Sequence, residues 1–151
     1  MNKKELKVVA LKNGTVIDHI PSDKLFKVVS ILHLDKVKNQ LTFGNNLESR
    51  KLGTKGIVKV SELYFQQNVI DKIALVAPNA KLNVIKDYVV VEKKSVHLSD
   101  EITDIVRCAN PKCITNNEPV TTKFFVVQKE PIMLRCNYCE RIIHEDDLKI
   151  K

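Results

Sequence analysis

Cys108-Ala109-Asn110-Pro111-Lys112-Cys113 and Cys136-Asn137-Tyr138-Cys139 hold all four cysteines of this 151-residue chain, separated by residues 114–135. Two thiolates a few residues apart can curl around one ion, and two such pairs complete the tetrahedron that zinc prefers. A disulfide framework would need an oxidising compartment, and Met1-Asn2-Lys3-Lys4-Glu5-Leu6-Lys7 carries no apolar signal core. A redox reading uses one Cys-x-x-Cys and leaves the other pair idle. An iron–sulfur cluster could use the same four residues, but these loops have ordinary zinc-knuckle length. Four thiolates close the coordination shell, so the expectation is one structural Zn2+ on Cys108, Cys113, Cys136 and Cys139 rather than a catalytic ion with a water position. His144 reads as a surface histidine on a terminal strand.

Working outward, the length suits a domain of about one hundred residues followed by a small metal-stapled one, because a segment of about fifty residues is near the limit of a self-supporting core. The expected division is 1–99 and 100–151. Hydrophobic residues at 44% and charged residues at 28% describe a soluble, cytoplasmic, globular protein with no membrane span. The charge is uneven. Residues 1–99 hold 17 Lys/Arg against 9 Asp/Glu, whereas residues 100–151 hold 8 against 9. Zinc ribbons that grip nucleic acid normally carry the basic surface themselves. The excess upstream makes the first domain the place to look for an anion, and a nucleic-acid-binding ribbon becomes the alternative reading.

Along the chain, Glu5–Leu11 and Thr15–Ile20 read as strands around a turn at Asn13-Gly14. Pro21-Ser22-Asp23 offers a helix start, and Leu25, Val28, Val29 and Leu32 repeat at helical spacing. Leu41–Phe43 and Ile57–Tyr64 read as extended, with residues 44–56 as a long hairpin connection. Asn68 can cap a second helix with Val69, Ile73 and Val76 on one face and Pro78 as its stop. Leu82–Ile85 and Tyr88–Val91 form a final extended run bent at Lys86-Asp87, and Glu92 to Asp104 reads as a linker. Ile105–Cys108, Val120–Lys129, Ile132–Cys136 and Arg141–Glu145 suggest short strands hung on the knuckles. The expected fold class is α+β: an N-terminal ferredoxin-like βαββαβ sandwich, then a small all-β zinc-ribbon-like domain.

Catalytic motifs are missing. There is no nucleophile elbow, Walker loop or G-x-G-x-x-G, and the chain has four glycines in all. Asp18-His19 is an acid–imidazole neighbour pair, but neighbours on a regular strand point to opposite faces and form no dyad. Gly53-Thr54-Lys55-Gly56 has the spacing of a KH clamp, yet it precedes a strand rather than joining two helices, so it reads as a hairpin turn.

Several motifs in fixed order identify a resemblance: Gly14-Thr15-Val16-Ile17-Asp18-His19-Ile20-Pro21, Gly44-x-Asn46-Leu47, Lys55 and Lys59, Ala74-Leu75-x-Ala77-Pro78, Asn83 before Tyr88, and the two cysteine knuckles ending in Glu140. Over essentially its whole length the chain resembles the regulatory chain of aspartate carbamoyltransferase. The resemblance implies a non-catalytic subunit of the enzyme that commits carbamoyl phosphate and aspartate to pyrimidine synthesis. In that family the N-terminal domain binds ATP or CTP, with UTP assisting. The zinc domain docks on the catalytic chain, and regulatory chains pair as homodimers through their N-terminal sheets. Three such dimers tie two catalytic trimers into a dodecamer of six catalytic and six regulatory chains.

Carried onto matching positions, the resemblance implies a nucleotide site in which Val8, Ala10 and Leu11 read a base edge with backbone groups. Asp18 would accept hydrogen bonds from ribose hydroxyls, and Lys59 would reach ribose and base. Lys93 and His19 would face the phosphates, while Val16, Lys55, Asn83, Ile85, Tyr88 and Val90 complete the walls. For Asp18 and His19 both to face a ligand, the strand must be irregular there. Asn110, Tyr138 and Glu140 lie where the family contacts its catalytic partner. Val9 stands where the best-known members carry glutamate, and Lys112 and Asn137 also depart from the familiar pattern.

Overall fold

The computed structural model describes residues 10–151. The chain divides into two compact units, 1–98 and 99–151.

In the first unit, β1 (Gly14–Pro21) leads through a 3-10 turn into α1 (Leu25–Ile31), followed by β2 (Leu41–Ser49), β3 (Gly53–Ser61), α2 (Gln67–Ile73), β4 (Lys81–Lys86) and β5 (Val89–Ser95). The sheet order is β2-β3-β1-β4-β5, with every neighbouring pair antiparallel. The first four strands in this order make the split βαβ arrangement, and β5 extends it at the β4 side. Alternation along the strands sorts the two faces. Ile17, Val58, Val60 and Leu82 are buried along with Leu25 and Val28 of α1 and Ile70 and Ile73 of α2. Val16, Asp18, Lys59 and Asn83 occupy the alternate positions on β1, β3 and β4. Two glycines permit close contacts here. At Gly14 (φ +142) a Cβ would run into the Val60 carbonyl oxygen, and at Gly56 it would lie 2.9 Å from a methyl of Leu25, where α1 packs on β3.

Several expectations change. The strand expected over Glu5–Leu11 lies largely outside the described residues, as do Val8 and Val9; Ala10 and Leu11 belong to no strand. The long connection over residues 44–56 is instead strand on both sides of a tight turn at Arg50–Leu52. Gly44, Asn45 and Asn46 read as loop formers because they build a bulge between Gly44 and Leu47, with Asn46 at φ 58. Gly53, expected in the turn, begins β3. The second helix is capped at Gln66, with Asn68 inside it, and no side chain caps it. The final extended run folds back as a hairpin, since Asp87 and Tyr88 both have positive φ (51 and 66). The expected linker is shorter, because β5 runs to Ser95 and the next strand starts at Glu101.

In the second unit, β6 (Glu101–Thr103), β7 (Val106–Arg107), α3 (Ile114–Asn117), β8 (Lys123–Lys129), β9 (Ile132–Cys136), β10 (Ile142–His144) and β11 (Lys149–Ile150) form two small sheets, β10-β9-β8-β6 and β11-β7. Phe124, Leu134 and Ile143 are its largest fully buried side chains. His144 is exposed, but β11 rather than its own strand is the last. The architecture is α+β followed by an all-β unit carrying the cysteines, as expected.

A four-cysteine metal centre and a basic sheet face

The first knuckle leaves β7 at Cys108 and turns at Cys113, where the Cys113 N–H donates to the Asn110 carbonyl (3.0 Å). The second lies between β9 and β10, where the Glu140 N–H donates to the Cys136 carbonyl (3.0 Å) and Glu140 itself takes a left-handed φ of 62. Their four sulfurs lie within 4.8 Å of one another. Cys108–Cys139 and Cys113–Cys136 are each 3.7 Å apart, far beyond a disulfide bond. Sulfurs at ~2.3 Å from a tetrahedral ion stand about 3.8 Å apart. The donor set and its spacing therefore fit a structural metal of the zinc type.

Burial pushes the Cys108 thiol up to about 12, aided by the neighbouring sulfurs and opposed by the Asn110 N–H. Burial likewise raises Cys136. At Cys139 burial also raises the thiol, but hydrogen bonds from the Arg141 backbone and the Asn110 side chain, together with those from the Cys108 and Cys136 sulfurs, outweigh it and bring it down to about 7. Crowded sulfurs with opposed proton affinities are what a divalent cation stabilises as thiolates.

Asn116 and Asn117 are residues that the sequence reading missed. The Asn116 amide donates to the carbonyls of Cys108 (2.9 Å) and Asn110 (2.7 Å), and that of Asn117 to Pro111 (3.0 Å) and Cys113 (2.8 Å). Thr115 Oγ1 donates to the Cys113 sulfur at 3.2 Å. Their signal was the polar run Thr115-Asn116-Asn117 directly after a cysteine, since amide side chains bind nearby carbonyls at turns. Of the expected partner contacts, Tyr138 and Glu140 are exposed on the second knuckle and Asn110 is half-buried within the first.

On the first unit, register places Val16 opposite both Lys59 and Asn83, and Asn83 opposite Lys93. Directly opposed residues share a face, so these four make one row across β3, β1, β4 and β5. One step along, Ile85 lies opposite Gly14 and Val90. Tyr88, 65% exposed, sits in the adjoining turn, where its N–H donates to the Lys12 carbonyl (2.9 Å). Ala10 is exposed and Leu11 half-buried beside Gly14, while Val8 is outside the described residues.

In the opposite direction along β1 the expected irregularity is present. The β1–β3 register shifts between Ile17 and Ile20, and His19 takes φ 59. This overrides the regular-strand reading of Asp18-His19: the His19 N–H donates to Asp18 Oδ1 (2.7 Å), and its Nε2 lies 4.0 Å from Oδ2. Lys55 Nζ pairs with the same carboxylate at 2.9 Å. Burial lowers the pKa of Lys59, partly offset by the Asp18 charge.

Comparison with known proteins gives one answer along the chain. A family model described as the allosteric domain of the aspartate carbamoyltransferase regulatory chain matches residues 6–97, and one described as its metal binding domain matches residues 100–149. Proteins named aspartate carbamoyltransferase regulatory chain are 56% identical in Phocaeicola vulgatus and 54% in Parabacteroides distasonis, each covering 99% of this chain and 96% and 97% of the relative. One from Pyrococcus abyssi is 53% identical over 95% of this chain and 96% of its own length. With two family models matching residues 6–97 and 100–149 and full-length relatives above half identity, the chain belongs to the aspartate carbamoyltransferase regulatory chain family, the non-catalytic side of that enzyme.

Proposed function

We propose that this chain senses nucleotides for a cytoplasmic aspartate carbamoyltransferase, binding ATP, CTP and UTP on residues 1–99 and docking on the catalytic chain through residues 100–151. The observation that carries the reading is the row Lys59–Val16–Asn83–Lys93, flanked by the Asp18–Lys55 pair and by His19 on its bulge. In this reading Ala10 and Leu11, with Val8, offer backbone groups to the base, and Asp18 accepts from ribose hydroxyls. Lys59 reaches ribose and base, Lys93 and His19 meet phosphate, and Lys55, Ile85, Tyr88 and Val90 close the walls. Lysine ammonium groups attract a polyphosphate as compact charges, and the excess of Lys/Arg in residues 1–99 aids its capture.

Cys108, Cys113, Cys136 and Cys139 hold one structural zinc, which shapes the knuckles so that Asn110, Tyr138 and Glu140 meet the catalytic chain. Regulatory chains pair through their N-terminal sheets, and the assembly is the dodecamer of six catalytic and six regulatory chains. A nucleotide shifts catalysis only by binding the two quaternary states unequally, with coupling of ~1–3 kcal/mol. Titration calorimetry of the whole chain tests the first step. Competitive heats from ATP and CTP are expected, and no heat from either at millimolar concentration would overturn the reading.

A further inference from the structure

The two knuckles are not held alike. The short one is closed by backbone, with the Glu140 N–H on the Cys136 carbonyl and the Cys136 N–H on the Arg141 carbonyl (both 3.0 Å). The long one, Cys108–Cys113, leads into α3, and two side chains just beyond it hold four of its six carbonyls. Asn116 takes those of Cys108 and Asn110, and Asn117 takes those of Pro111 and Cys113. All four partners are acceptors only, so each amide must face them with its NH2 group, and both hydrogens of each are used. Although both residues are exposed, they direct every donor inward onto the loop.

Two further contacts reach the sulfurs. Thr115 Oγ1 donates to Cys113 Sγ (3.2 Å). Asn110, whose carbonyl Asn116 holds, accepts the Lys112 N–H through Oδ1 (3.0 Å) and donates its own amide to the Cys139 sulfur. The run Thr115-Asn116-Asn117 therefore acts directly on the knuckle that carries Cys108 and Cys113, and through Asn110 on the second knuckle. A six-residue loop without such ties would lose its backbone freedom only when the ion arrives, and that loss would weaken binding.

We propose that Thr115, Asn116 and Asn117 are positioning residues for the metal: they hold the long knuckle in its ion-binding shape, so that zinc meets a preformed half-site and leaves it slowly. The proposal rests on the metal reading of the four cysteines. It gives the x4 spacing of the first knuckle a physical support that the x2 spacing of the second does not need.

The test follows zinc release from the full zinc-loaded chain to an excess of chromophoric chelator. Ile102→Val is the control, since Ile102 is buried in the edge strand β6 and its truncation reports a general loss of stability. Asn116→Ala should speed release by about tenfold beyond the control, in the range of groups that orient metal ligands, and Asn117→Ala by somewhat less. In the cobalt-substituted chain, Thr115→Val should move the sulfur-to-cobalt charge-transfer band to longer wavelength, because the hydroxyl stabilises the Cys113 electron pairs, and Thr115→Ser should restore it. Should Asn116→Ala fail to fold, Asn117→Ala and the Thr115 pair carry the same test. Release no faster than in Ile102→Val, once matched for the fall in denaturation midpoint, overturns the positioning role and leaves the metal reading in place. A cobalt band indifferent to Thr115→Val removes Thr115 from that role. An unsubstituted chain that takes up neither zinc nor cobalt overturns the metal reading and the proposal together.

Discussion

The two units solve the same problem by different means. Unit 1–98 lays two helices on a five-stranded sheet and buries branched side chains from every layer, among them Ile17, Leu25, Val28, Val58, Ile70, Ile73 and Leu82. Unit 99–151 has short strands around Phe124, Leu134 and Ile143, and three of its buried side chains are the cysteines Cys108, Cys113 and Cys136. Where apolar area is plentiful the surface is free to carry a ligand face. Where it is scarce the sulfur centre replaces core, because ion binding and folding become one event.

The strongest way to break this comparison is to take away the metal. A chelator strong enough to strip zinc, or Cys136→Ala, should unfold unit 99–151, since structural zinc is worth on the order of 10 kcal/mol in small domains. Hydrogen exchange should then show lost protection in β8 and β9 and retained protection in β1 and β3. Simultaneous loss in both units would end the idea of separate solutions.

A smaller effect comes from core truncation. Ile17→Ala should cost about 2–5 kcal/mol and Phe124→Ala about 3–5 kcal/mol, each in its own unit. With metal present, Phe124→Ala should leave the sulfur centre assembled, readable as unchanged cobalt–thiolate absorption in the cobalt-substituted chain. Ile17→Ala has no such anchor and should lower the denaturation midpoint of its unit directly. Metal lost by Phe124→Ala would show that apolar packing, not sulfur, organises the knuckles.

The smallest effect is electrostatic. Burial lowers the pKa of Lys59, and a ligand accepting from its ammonium would raise it again. Nucleotide affinity should therefore hold through neutral pH and fall in the alkaline range, beginning below the ordinary lysine value. Binding there should take up protons, seen as calorimetric heats that change with buffer ionisation enthalpy. Lys59→Met should remove that dependence, and a proton uptake that survives it would remove Lys59 from the ligand's reach.

The cysteine centre was legible from spacing alone because a tetrahedral site constrains local sequence directly. The split βαβ order was legible because burial of one sheet face imposes period two on β3, and α1 shows helical spacing at Leu25 and Val28. What failed was chemistry with two meanings. Gly44, Asn45 and Asn46 signal a loop and also build a bulge. Asp87-Tyr88 carries no glycine, so its two left-handed residues gave no hairpin signal. The cross-strand row could not be seen before register was known, because Val16, Lys59, Asn83 and Lys93 are far apart in sequence. Asn116 and Asn117 act on carbonyls, a role that leaves no spacing pattern.

The left-handed backbone at His19 has a bearing on how far this chain could be improved. A side chain at φ 59 is held at about 1–2 kcal/mol relative to its relaxed form, offset in part by the Asp18 carboxylate on its own N–H. Glycine would sit there without strain. Selection for heat resistance alone would push toward that glycine and strip from the sheet end the imidazole proposed to meet phosphate, so an engineer hardening this subunit would leave this strained residue untouched.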